Sequence, residues 1–233
     1  MKKRIAVLTG AGMSVESGLS TFRGGGGMWD EYPVELVATP EGFAANPALV
    51  LEFYNKRRVQ LFGVQPNEGH KLLAALQSSY DVTVITQNVD DLHERAGSQN
   101  IIHLHGELLK VCSSREPNNE TFVRTLTADN ATISIGDLAA DGSQLRPFIV
   151  WFGESVPLMS DAIAAMRGID AFVIIGTSLN VYPAAGLLNY APAGVPIYLI
   201  DPNEVNAVLP ANAVHIRKGA SEGVRELIDR YLK

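Results

Sequence analysis

Short apolar stretches rich in β-branched residues recur along the chain, each closing on glycine or polar residues: IAVLTG at 5–10, VTVITQN at 82–88, IIHLHG at 101–106, AFVIIGTS at 171–178 and VPIYLID at 195–201. A strand with one face in water alternates apolar and polar positions, so runs apolar on both faces read as strands buried in a parallel sheet. Helix-like segments are expected between them at 70–78, 91–96 and 161–167, with a final amphipathic one at 221–231. Strands alternating with helices predict an α/β fold built on an open, doubly wound parallel sheet.

Two stretches break this rhythm. Residues 24–68 hold GGGG, then MWDEYPVELV and the aromatic, basic run LEFYNKRRVQLF, which suggests a helical insertion over one edge of the sheet. Residues 107–146 are polar and rich in turn formers, with short β-like pieces at 122–126 and 132–135, and read as a small appended module. The organisation expected is one domain over 1–233, with a large lobe of about 1–25, 69–106 and 146–233 and a small lobe of about 26–68 and 107–145.

Composition narrows the function classes. A length of 233 residues supports a sizeable core, and a single cysteine, Cys112, cannot form a disulfide within the chain, so a reducing, cytoplasmic setting fits best. Against 19 basic residues stand 25 acidic ones, a net charge of -6 that offers no cationic field for nucleic acid or an anionic membrane. The apolar start, Ile5 to Leu8, is too short for a signal-peptide core, and no run approaches the roughly 18 apolar residues of a spanning helix. The expected partner is a small molecule or a protein, with no nucleic acid and no membrane; a monomer is favoured, with the oligomeric state left open.

The candidate chemistry sits where the apolar runs end. Gly10-Ala11-Gly12 follows the first strand, so its backbone can turn tightly and bring N–H groups near a phosphate. A tight βα turn without ligand accounts for it equally well, and Val15 stands where the dinucleotide fingerprint GxGxxG needs its third glycine. Ser14, Ser17, Gly18, Phe22 and Arg23 continue the segment with polar and flexible positions suited to covering a ligand. Thr86-Gln87-Asn88-Val89-Asp90 ends the second strand, where amide and carboxylate can grip an amide-bearing ligand and a ribose, or simply cap the next helix. His103 and His105 alternate onto one face of the third strand, so one shared environment is expected for them; a strand-end histidine suits a general base, while metal ligation lacks a third and fourth ligand at recognisable spacing. Gly176-Thr177-Ser178 ends the fourth strand, and these segments should line one crevice.

GAGMSVESGLSTFR, TQNVDDLH, HLHG, RPFIVWFGE and GTSLNVYPAA stand here in the order and spacing of the sirtuins, NAD-dependent protein deacylases, which the chain resembles over nearly its whole length apart from much of 107–145. The resemblance implies a Rossmann-like sheet domain with a smaller appended domain, and NAD bound between them. It also implies that Gly10, Ala11, Gly12, Ser14, Ser17, Phe22, Arg23 and Trp29 form a cofactor loop, with Gln87, Asn88, Val89 and Asp90 on the nicotinamide and ribose wall. Gly176, Thr177, Ser178, Leu199, Ile200, Asp201 and Ala220 would fall on the adenosine side. His105 matches the catalytic base, which takes a proton from a ribose hydroxyl so that it closes on the acyl carbon, giving nicotinamide, lysine and O-acyl-ADP-ribose. Val150, Trp151, Phe152, Gly153 and Glu154 match the strand-like segment that pairs with an acyl-lysine protein substrate. Tyr54 and Arg57 resemble the Tyr-x-x-Arg pair of class III sirtuins, implying succinyl or malonyl groups beside acetyl, because guanidinium and hydroxyl suit a carboxylate.

One departure stands out. Sirtuins carry two cysteine pairs for a structural zinc between the catalytic histidine and WFGE, whereas residues 107–146 hold Cys112 and no histidine. No zinc and no other metal is therefore expected. Mono-ADP-ribosyl transfer or NAD hydrolysis is the second enzyme class the same pocket allows; the Tyr54/Arg57 pair argues against it. A non-catalytic NAD sensor would have little use for His105, and the missing third glycine counts against a dehydrogenase.

Overall fold

The computed structural model describes residues 1–21, 32–205 and 207–232. Its main sheet begins with β1 (Arg4–Thr9), whose residues from Ile5 to Thr9 are all buried. Three helices follow: α1 (Val34–Val37), α2 (Pro40–Ala45) and the long α3 (Pro47–Gly63). α2 and α3 start where a polar side chain precedes proline. Thr39 Oγ1 accepts from Gly42 N–H (2.9 Å) and Asn46 Oδ1 from Leu49 N–H (3.1 Å), while Pro40 and Pro47 occupy first-turn positions that need no amide hydrogen. α4 (Glu68–Leu76), capped by Asn67, leads into β2 (Asp81–Thr86), then α5 (Leu92–Ala96) and β3 (Ile101–His103). β4 (Gly106–Ser113), β5 (Arg124–Thr125) and β6 (Leu145–Ile149) come next, followed by α6 (Met159–Ala165), β7 (Ala171–Ile175), β8 (Ile197–Ile200), β9 (Ala213–Ile216) and α7 (Ala220–Arg230).

Six strands form a parallel sheet in the order β3-β2-β1-β7-β8-β9. The chain winds outward from β1 to β3 in one direction and from β7 to β9 in the other, so the winding reverses between β1 and β7. Ile5, Val7, Val84, Val173 and Ile175 pack on one face against Leu73 and Leu76 of α4 and Val224 and Leu227 of α7. Ala6, Leu8, Ile85, Phe172 and Ile174 pack on the other against Ala162 of α6, Met166 and Leu187. Burial on both faces is what the doubly apolar runs required.

A second, antiparallel sheet has the order β5-β4-β6, and helices α1–α3 pack with it. The sequence placed one strand over 101–106; instead the chain turns at Leu104 and His105, Gly106 takes φ +80°, and β4 runs off into the small sheet. The β-like piece expected at 132–135 is not a strand. Its backbone is held by the side chain of Asn55 on α3, which donates to Ile133 O (2.8 Å) and accepts from Ile133 N–H (3.1 Å).

Arg58, one helical turn further along α3, is fully buried and acts as a clamp. Its Nε donates to Leu108 O (2.8 Å), and Nη1 donates to Ala131 O (2.8 Å) and Asn55 Oδ1 (2.9 Å). Leu51 of α3 closes the same contact with Val111, Leu126, Ile133 and Leu145. Replacing Arg58 by alanine strands buried carbonyls and opens a cavity. Arg58→Ala should lower unfolding free energy by about 3 kcal/mol, read from urea denaturation; a loss under about 0.5 kcal/mol would contradict the clamp.

Candidate active site

The exits of β1 and β7 run side by side. Gly10 N–H donates to Ile175 O (3.0 Å) and Gly12 N–H to Gly176 O (2.9 Å). A Cβ on Gly12 would lie 2.6 Å from Gly176 Cα, and Gly176 sits at φ +61°, so both loops need glycine where they touch. The glycine amides are thus engaged by the neighbouring loop, and a phosphate over this turn would rely on other donors. A 3₁₀ turn over Ala11–Ser17 follows and closes on Gly18 at φ +94°.

The β2 exit is tied to this floor. Asn88 Nδ2 donates to Gly10 O (3.0 Å) and Ser14 Oγ (3.2 Å), and its own N–H donates to Thr86 Oγ1 (3.0 Å). Ser14 Oγ donates to Asp90 Oδ2 (2.9 Å), while Asp90 Oδ1 accepts from Leu92 N–H (3.2 Å) at the start of α5. Capping and site-lining therefore coincide in Asp90. Burial pushes its carboxyl pKa up, partly offset by those two hydrogen bonds. Gln87 Nε2 donates to Thr177 Oγ1 (3.0 Å), joining the β2 and β7 exits.

The two histidines do not share one environment, contrary to the alternation expected for an unbroken strand. β3 stops at His103, whose Nε2 meets Glu94 Oε1 at 2.6 Å. Burial alone would lower the His103 pKa, but the hydrogen bond and charge of Glu94 outweigh it and raise it. His105 lies in the turn beyond. Its Nδ1 lies 3.0 Å from Gln87 O; a carbonyl can only accept, so Nδ1 carries the hydrogen and Nε2 is left as the basic nitrogen. Burial favours the neutral imidazole and lowers the His105 pKa, outweighing the Gln87 hydrogen bond, which acts to raise it.

These groups surround a cleft of about 750 Å³ lined by Gly10, Ala11, Gly12, Gln87, Asn88, Val89, His105, Val150 to Glu154, Gly176, Thr177, Ser178, Asp201 and Tyr54. A smaller cavity beyond Asn88 is lined by Ala11, Ser14, Asp90 and Arg57. Tyr54 and Arg57 are close enough for each to oppose the pKa shift that burial gives the other, yet they line different cavities. Val150–Glu154 follows β6 rather than extending it, with Gly153 at φ +92°.

Leu199 and Ile200, read as adenosine contacts, turn their side chains into the two cores, and Ala220, the first residue of α7, is buried in the core on one face of the sheet. Asp201 lines the cleft, joined by Asn203, Glu204 and Gly219. Ser17 faces Asn67, whose Nδ2 donates to it at 3.1 Å. Phe22, Arg23 and Trp29 lie outside the described residues. Val15, Glu16, Ser20, Thr21 and Tyr182 also line the cleft and were not singled out from the sequence; their neighbourhood to GAG and GTS is the signal that could have found them.

A profile described as the Sir2 family matches residues 10–183. This chain belongs to the Sir2 family. It is 61% identical to an NAD-dependent protein deacylase of Bacteroides thetaiotaomicron, over 97% of this chain and 96% of that one. A Helicobacter pylori protein of the same name is 49% identical over 99% of this chain and 96% of its own. Among solved structures, a Sir2 homologue in complex with NAD superposes with a TM-score of 0.84 at 38% identity, covering 98% of this chain and 89% of that one. A mutant Sir2 homologue in complex with ADP-ribose reaches 0.87 at 38% identity, covering 98% and 91%. The protein is thus an enzyme of the sirtuin class on a Rossmann-like fold. Among the described residues no helix is long and apolar enough to cross a membrane.

The zinc of the wider family finds no fit in the small sheet. Among the described residues no group of three or more His, Cys, Asp or Glu is placed to hold a metal, and Cys112 is buried without a second cysteine to pair with it in a metal site.

Proposed function

We propose that this sirtuin is an NAD-dependent protein-lysine deacylase that prefers acidic acyl groups such as succinyl and malonyl and also removes acetyl, working as a single two-lobed domain. The observation that carries the reading is His105, its Nδ1 bonded to Gln87 O and its Nε2 without a hydrogen-bond partner among the described residues, on the wall of a cleft it shares with Asn88 and the Gly10–Gly12 turn. The donor set suits NAD: an amide at Asn88, a carboxylate at Asp90, and the hydroxyls of Thr177 and Ser178 at the carboxyl ends of β2 and β7. The Bacteroides and Helicobacter relatives are named NAD-dependent protein deacylases, which supports the deacylase part of this reading.

His105 is assigned the proton of a ribose hydroxyl. Gln87 O fixes its tautomer and ring orientation, and burial keeps it from protonating before the reaction. Asn88 and Asp90 hold the nicotinamide end, Asp201 marks the adenosine end, and the Val150–Glu154 segment borders the entry for the acyl-lysine peptide. Tyr54 and Arg57 are assigned the distal carboxylate of the acyl group.

His105→Ala should retain the fold and cut deacylation by at least about 10²-fold; unchanged turnover removes the assignment. Because burial depresses its pKa, His105 is deprotonated above that value and is protonated as pH falls through it. The acid limb of kcat/KM should therefore have its midpoint below the ordinary imidazole value of 6.5; a midpoint above it would contradict the burial argument.

Arg57→Met should weaken desuccinylation by about 30-fold, on the order of 2 kcal/mol for a carboxylate losing its charged partner, with a much smaller loss on acetyl peptide. Equal loss on both peptides makes Arg57 a structural residue.

We also propose that the protein works without zinc. The packing of Leu51, Val111, Leu126, Ile133 and Leu145, together with the Asn55 and Arg58 clamps, supports the small sheet. Purified protein treated with a strong chelator should keep its melting temperature and activity; stoichiometric zinc whose removal unfolds it defeats this reading.

A further inference from the structure

Behind the Tyr54 side of the cleft lies a buried polar assembly whose side-chain contacts have so far been given no role. Arg146, 4% exposed, projects from β6 and forks onto Glu154: Nη1 donates to Oε1 (2.6 Å) and Nη2 to Oε2 (3.0 Å), with Nη2 also donating to Ile149 O (2.7 Å). Its guanidinium carbon lies 3.4 Å from the centre of the Trp151 ring. Trp151 N–H donates to Glu154 Oε2 (2.7 Å), so the carboxylate anchors the backbone of Trp151 while the cation it grips stacks on the indole. Phe43 packs at 5.3 Å between ring centres and completes the cage.

So held, Trp151 directs its one polar atom at Tyr54: Nε1 donates to the phenol oxygen at 3.0 Å. An indole N–H can only donate, so the Tyr54 oxygen must accept there, and its own hydrogen has to point elsewhere. Tyr54 also lines the cleft, and Trp151 itself is only 2% exposed, its ring spent on internal contacts rather than on a ligand. We propose that the Arg146–Glu154–Trp151 assembly is a positioning device that holds the Tyr54 hydroxyl as a hydrogen-bond donor toward the acyl carboxylate, and thereby contributes to acyl specificity. This rests on the acidic-acyl preference proposed above. Burial, with smaller opposing effects from Arg57 and Trp151, pushes the Tyr54 pKa up to about 12, so the phenol keeps its hydrogen at neutral pH.

The test is a double-mutant cycle read as the ratio of kcat/KM for succinyl against acetyl peptide, in which any loss of peptide binding common to both substrates cancels. Trp151→Phe keeps an aromatic ring over Arg146 and deletes the N–H; the ratio should fall about 5- to 10-fold, mainly through KM for the succinyl peptide. In the Tyr54→Phe background the same change should leave the ratio where Tyr54→Phe alone puts it. Should Trp151→Phe fold poorly, Arg146→Lys keeps the charge on Glu154 but loses the planar fork and stack, and the ratio should fall by about 3-fold. A wild-type ratio in the single variants, or losses that multiply in the double variant, overturns the inference while leaving the acyl preference standing. A wild-type enzyme without preference for succinyl over acetyl overturns the preference itself and the inference with it.

Discussion

The site depends on a backbone contact that admits no side chain. At the switch between β1 and β7, the two exit loops approach until Gly12 N–H bonds Gly176 O, and a Cβ on Gly10, Gly12 or Gly176 would collide with backbone or side-chain atoms of the opposite loop. That closeness fixes where Gly10 O points, and Gly10 O is what Asn88 grips. Ser14, Asp90 and the start of α5 follow from Asn88 through a continuous line of hydrogen bonds. One steric constraint between two strand ends thus orients the polar wall of the cleft where the exits of β1, β2 and β7 meet. Parallel strands make this possible, because they release their chains on the same edge of the sheet.

The same sheet edge explains how two histidines separated by one residue acquire opposite characters. His103 is the last residue of β3 and stays packed against α5, where Glu94 makes the protonated form favourable despite burial. His105 has already left the sheet in a turn that Gly106 permits at φ +80°, and its nearest polar neighbour is a carbonyl. A carboxylate favours imidazolium, whereas a single carbonyl selects a tautomer but is too weak to offset burial, which favours the neutral ring. The difference between the two imidazole environments, one against a carboxylate and one against a carbonyl, comes from where the strand ends.

Legibility in the sequence followed burial symmetry. β1, β2, β7 and β8 are buried on both faces, so their apolar runs stand out whatever their register, and the motifs at their ends located most of the cleft. β4 mixes buried and half-buried positions, and β9 is half-buried over three of its four residues; neither yields such a run, and both were missed. The 132–135 segment misled for a different reason: it has strand-like residues but gets its backbone partners from the Asn55 amide. Side-chain capture of backbone leaves no periodicity to read. Leu199 and Ile200 show the converse limit. A strand's last residues border a site in sequence while their side chains belong to the cores, and Asp201 is the first that reaches the cleft.

On α3 two polar pairs with identical spacing are interleaved, Tyr54 with Arg57 and Asn55 with Arg58. Residues three apart share a helix face, and a shift of one residue turns that face by about 100°. Asn55 and Arg58 consequently meet the backbone at Leu108, Ala131 and Ile133, while Tyr54 and Arg57 meet the two cavities. The helix therefore joins the small sheet to the cleft as one rigid element: the face that gathers the module's loops is the same helix that presents phenol and guanidinium to the cavities. A metal cluster would tie the small sheet's strands to one another, whereas clamps on α3 tie them to the element that carries the proposed acyl contacts. Stability of the module and placement of Tyr54 are then set by the same helix, and neither can shift without the other.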